Sequence, residues 1–108
     1  MAANPWLKRL LLPNANQAYN LYALMQAADA TLAWAECSKL QIQFDVDAGA
    51  ARFKIGNEDI SATEYGVQLV ASQAWGIEAI EQNLIFLKNI WVFCDTADQY
   101  FSVAMVVH

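Results

Sequence analysis

Histidine is all but missing from this chain: there is one in 108 residues, and it is the last, His108. A Ser-His or Cys-His catalytic pair would have only a chain-end imidazole as its base, so nucleophilic hydrolysis of that kind is not expected. Cysteine is nearly as scarce. Cys37 and Cys94 stand far apart in apolar surroundings and lack metal-ligand spacing, which points to two buried free thiols and no metal site. Basic residues number six against eleven acidic ones, for a formal net charge of −5. Lys8-Arg9 is the one adjacent basic pair, and Arg52 and Lys54 share a strand face. No basic stripe forms, which argues against a nucleic-acid partner.

Long apolar runs are missing too. Nothing approaches the roughly 18 uninterrupted apolar residues of a membrane span. Lys8 and Arg9 are followed only by Leu10, Leu11 and Leu12 before Pro13, well short of an export-signal core of about 7–15 residues. A cytoplasmic, reducing setting is the expectation.

The chain is instead rich in apolar side chains. Hydrophobic residues make up 57% and charged residues 16%, against usual values of roughly 45–50% and about 25%. A small monomer cannot hide that surplus easily, so part of it is expected in an interface or a pocket.

Patterning suggests α+β architecture in the order α-β-β-α-β-β. Residues 1–13 read as an apolar N-terminal arm, bracketed by Pro5 and Pro13 and docked on the body or on a partner. Residues 14–108 read as a single α+β domain. From Asn14 or Asn16 a helix is expected to about Cys37, with Leu21, Leu24, Met25, Ala28, Leu32 and Ala35 as its buried stripe. Strict alternation follows: Leu40, Ile42, Phe44 and Val46 point one way, Gln41, Gln43, Asp45 and Asp47 the other. With Ala48-Gly49-Ala50 as a turn and Ala51, Phe53 and Ile55 returning, this reads as a hairpin. Ser61-Ala62-Thr63-Glu64 fits a capping box and predicts a second helix through Val67, Leu69, Val70 and Ala74. A final hairpin runs over Leu84–Val107 about a turn at Cys94-Asp95-Thr96-Ala97-Asp98. Together these elements predict a four-stranded antiparallel sheet with both helices packed on one face.

The last hairpin is apolar on both faces, where a one-sided sheet would alternate. Its second face is expected to need a partner, with a homodimer favoured. The interface candidates are Trp6, Trp91, Phe93, Phe101, Val103 and Met105. Trp34, Trp75, Trp91 and Tyr100 are the residues that would line a pocket between sheet and helices, with Asp95, Glu78 or Tyr65 to orient a ligand.

Other signals are weak. Asp45, Asp47, Glu58, Asp59, Asp95 and Asp98 read as turn formers, because no calcium-loop spacing accompanies them. Glu78 and Glu81 read as solvated, and Gly56, Gly66 and Gly76 match no phosphate loop. The expectation is therefore a non-catalytic, self-associating acidic domain that acts by protein–protein binding, in the adaptor or immunity-protein class, with no cofactor. A small-ligand or enzyme domain is the alternative.

Overall fold

A strand that buries every second side chain needs a second layer to bury them against. In the computed structural model, which describes residues 4–80 and 84–107, that layer is another sheet. The strands are β1 (Asn4–Leu12), β2 (Gln17–Asn20), β3 (Glu36–Cys37), β4 (Lys39–Phe44), β5 (Phe53–Gly56), β6 (Val67–Leu69), β7 (Ala74–Glu78), β8 (Ile85–Phe86), β9 (Trp91–Cys94) and β10 (Gln99–Val107). One α-helix, α1 (Leu21–Ala28), and a 3-10 turn at Leu87–Asn89 complete the described elements.

Two four-stranded antiparallel sheets have the orders β1-β10-β4-β7 and β2-β9-β5-β6, with β3-β8 as a small ribbon beside them. Consecutive strands sit mostly in opposite sheets, and among the described strands β5 and β6 are the one consecutive pair sharing a ladder. This is the eight-strand jelly-roll order.

The expected α+β class is thus corrected to a β-sandwich. Both expected hairpins are arches that carry the chain from one sheet to the other, β4 to β5 and β9 to β10, and the link from β6 to β7 is a third. The link from β1 to β2 is a fourth. Each arch holds one residue at positive φ: Asn16 (58°), Gly49 (62°), Ser72 (66°) and Asp98 (56°). The arches also bond to one another. Asn16 N–H donates to Cys94 O, Asp95 N–H to Arg52 O, and Ser72 N–H to Asp45 O. Four arches therefore close one end of the sandwich as a stack.

Beneath them lies the aromatic seal. Phe44 and Phe101 of the first sheet meet Phe53 of the second at centroid distances of 5.2 and 4.9 Å, respectively to Phe53. Leu10, Leu12, Leu40, Ile42, Val103 and Met105 continue this core from the first sheet, and Ile55, Leu69, Val92 and Cys94 from the second.

The two helix expectations fail for separate reasons. Residues 17–20 pair with 91–94, so the ladder to β9 overrides the local helix preference. The helix begins instead after Asn20, whose Oδ1 accepts from Ala23 N–H, and ends at Asp29, whose carboxylate turns back onto Thr31. Leu21 and Met25 of the expected stripe are buried, and Leu32 is buried from a loop. At Ser61 the capping bonds form without a helix: its Oγ accepts from Thr63 and Glu64 N–H, while its own N–H donates to Glu64 O. Residues 67–69 then pair with β5, and residues 74–78 with β4.

Arm residues 4–12 are an integral strand along the whole of β10. Trp6 fixes that strand to the helix end, its indole N–H donating to Asp29 Oδ2 at 3.0 Å.

Two substitutions test this architecture. Phe53→Ala removes the ring that touches both opposing phenylalanines and is expected to cost about 3–5 kcal/mol in denaturant unfolding. Gly49 has open space around its Cβ position but a φ of +62°, so Gly49→Ala isolates backbone strain and is expected to cost about 1 kcal/mol.

Candidate functional site

Shelter is unevenly distributed over the two outer faces. On the second sheet, Phe93 points outward and pairs across the ladder with Lys54. Both are buried, because the segment after β5 folds over them. Lys54 Nζ donates to Ala62 O at 2.6 Å and lies 4.6 Å from the Tyr65 ring centroid. The chain's own loop thus supplies the second cover for β9 that a partner was expected to supply.

The outer face of the first sheet is open. Register places its side chains in rows across β1, β10, β4 and β7: Pro5–Val106–Lys39–Glu78, then Leu7–Ala104–Gln41–Gly76, then Arg9–Ser102–Gln43–Ala74. The alternation that sends Phe101, Val103 and Met105 inward leaves Ser102 and Ala104 outward, so the middle of the face is low. Leu7 stands beside it, 69% exposed.

Two depressions result. One of about 380 Å³ lies over Ser102 and Ala104, between Leu7 and Arg9 on one side and Gln41 and Gln43 on the other. The second, about 360 Å³, extends over Gly76 and Val106 and shares Leu7, Gln41 and Ala104 with the first. Gln41 and Leu7 are therefore walls common to both.

Arg9 closes one end of the face. Its guanidinium stacks 3.9 Å from the Tyr100 ring centroid and bonds to Asp45 Oδ2 at 2.7 Å. Arg9 is thus paired with Asp45, and Lys39 has Glu78 as its cross-strand neighbour.

The four residues expected around one pocket are not brought together. Trp34 is exposed in the segment after α1, Trp75 packs half-buried on β7, and Tyr100 lies under Arg9. Trp91, half-buried, lines a separate shallow hollow with Asn57 and Lys88. Among the described residues no helical layer covers a sheet face to enclose a pocket there, which corrects that placement. Of the interface candidates, Trp6, Phe93, Phe101, Val103 and Met105 are buried within the single chain, and Trp91 is half-buried.

Asp95 is occupied in its arch, with Oδ1 accepting from Arg52 N–H and the Thr96 hydroxyl. Tyr65 serves Lys54, and Glu78 lines the second depression. Among the described residues no three His, Cys, Asp or Glu side chains gather as a metal cluster. Glu81 and His108 lie outside the described residues. No helix among them is long and apolar enough to cross a membrane.

Ordinary signals mark the missed residues. Ser102 and Ala104 form the small-residue phase of β10, and Gln41 and Gln43 the polar phase of β4. Only cross-strand register puts them beside Leu7 and Gly76.

The site therefore belongs to a jelly-roll β-sandwich with one bare sheet face. No protein-family model matches the chain, and no curated protein matches it.

Titratable groups elsewhere serve structure. Burial pushes the Cys37 thiol up to about 11, and burial likewise raises Cys94. Both thiols are protonated at neutral pH and should resist Ellman's reagent in native buffer at pH 8, reacting fully only in denaturant. Rapid stoichiometric reaction of the folded protein would contradict their placement.

Bonds from Thr31, then Trp6, hold the Asp29 carboxyl below its ordinary 3.8, and the Arg9 bond does the same for Asp45. For a carboxylate with a lowered folded-state pKa, the stabilisation is complete above the unfolded value and disappears as pH falls through the folded one. Thermal midpoints should therefore drop as pH is lowered below about 4. Asp29→Asn and Asp45→Asn together should flatten that part of the profile.

Proposed function

We propose that this chain is a non-catalytic binding domain that works by contact with another protein and associates with itself. The observation that carries this reading is the bare outer face of the β1-β10-β4-β7 sheet. On the partner sheet the chain's own loop covers Lys54 and Phe93, whereas this face presents Leu7, Leu11, Ala104, Val106 and Gly76 around two shared depressions.

Apolar and small side chains on an open sheet face favour association over chemistry. The charge balance supports the same reading. The chain carries −5 overall, but this face sets cations beside its carboxylates, Arg9 bonded to Asp45 and Lys39 across the ladder from Glu78, so a like-charged copy meets little net repulsion there. Two buried free thiols suit a reducing compartment such as the cytoplasm.

A small ligand seated in one of the depressions is the second reading, favoured by their volumes, which fall within the usual range for ligand sites. The open face without an enclosing wall supports it less.

Sedimentation equilibrium over a wide concentration range tests the first reading. The weight-average mass is expected to rise from about 12 kDa towards twice that value. A constant monomer mass up to the highest attainable concentration would end the self-association reading. Thermal stabilisation by a metabolite in that monomer would favour the ligand reading.

A further inference from the structure

We infer that two copies pack this face isologously, about a two-fold axis running parallel to the strands between β10 and β4. The inference rests on the self-association proposed above and specifies its surface.

Relief within one row carries it. Across the sheet the order is Leu7, Ala104, Gln41, Gly76, which is tall, short, tall, short. The axis described reverses this order onto itself. Leu7 of one copy then stands over Gly76 of the other, and Gln41 stands over Ala104. Each tall side chain meets a short one. The depressions on either side of Gln41 are the spaces that receive these knobs. A two-fold axis perpendicular to the strands and parallel to the sheet would instead set Leu7 over the β1 ridge and Gln41 over the β4 ridge. The row pattern thus selects one symmetry. Such packing keeps the strands of the two copies nearly aligned, as in sheet-on-sheet packing about 10 Å apart.

The area is sufficient for a modest dimer. Four strands spaced by about 4.8 Å, and three rows about 6.8 Å apart, make a patch of roughly 400 Å² in flat projection. Two copies then bury on the order of 1,000 Å² once side-chain relief is included, at the lower limit for a specific interface. A micromolar dimer in rapid exchange is the expected form.

Three variants test the surface. Leu7→Glu changes an exposed side chain, so the fold should keep its thermal midpoint. Ser102→Cys places a thiol beside the axis, and Val46→Cys places one on an exposed arch away from this face. Cys37 and Cys94 are buried and should not interfere. At a concentration where the wild type is dimeric, Leu7→Glu should sediment as a monomer. A short bismaleimide should link Ser102→Cys into dimers and leave Val46→Cys unlinked.

If the wild type dimerises but Leu7→Glu does so equally, or Val46→Cys links and Ser102→Cys does not, this surface is wrong while self-association stands. A wild-type monomer at all concentrations overturns both, leaving a foreign chain or ligand as the occupant of the face.

Discussion

The sandwich depends on Phe53. Among the described residues it is the one ring that touches two aromatic residues of the opposite sheet, Phe44 before the β4–β5 arch and Phe101 near the start of β10. This contact sits directly under the end where four arches bond to each other through Asn16, Asp45, Arg52, Ser72, Cys94 and Asp95. Packing and arch geometry are coupled there. The left-handed residues let the chain turn from one sheet into the other, and the rings give the two sheets a reason to meet. Without the rings the arches would join two unsupported sheets. Without the arches β4 and β5 would be free to pair as neighbours in a single sheet.

That competition explains which parts of the fold could be read from the sequence. Alternation and turn residues place strands over 40–47, 51–55 and on both sides of the 94–98 turn, and the structure has them at 39–44, 53–56, 91–94 and 99–107, the run from Leu84 being broken by a 3-10 turn at Leu87–Asn89. Their pairing was not legible, because an arch and a hairpin share the same punctuation of Asp, Asn, Ser and Gly. Partner choice is decided by distant contacts such as Phe101 with Phe53. The helices were overestimated for a related reason. The Ala-rich run from Ala23 to Ala35 and the capping serine at 61 carry real local preferences, but ladders to β9 and β5 replace helical bonds beside each. Local preference decides an element only where no long-range ladder competes.

The apolar excess at the C-terminus was also real, yet it divides between two environments. Phe93 is covered by the loop that carries Ile60, Ala62 and Tyr65, with Lys54 tucked between strand and loop. Phe101, Val103 and Met105 enter the shared core. What β10 leaves outside is the alternate phase, Tyr100, Ser102, Ala104 and Val106, whose middle two side chains are small. The candidate face therefore comes from the weak half of the pattern, the half that reads as unremarkable when only large hydrophobic residues are followed.

Faces and edges compete as routes to association, and this chain treats them differently. A free sheet edge offers unpaired backbone groups to any extended segment. On β1, Pro5 lacks an N–H, Lys8 and Arg9 add charge, and α1 packs alongside. β7, the opposite edge, is five residues long and ends in Glu78. Short length, charge and proline are the usual means of discouraging edge pairing. The outer face has no comparable protection: its two middle strands present Ser102, Ala104, Gln41 and Gln43, β7 adds Gly76 and Ala74, and at its rim Arg9 bonds to Asp45. Guarded edges beside an unguarded face make contact through side chains the physically favoured route, and such contact is limited in size and reversible where edge-to-edge growth is open-ended.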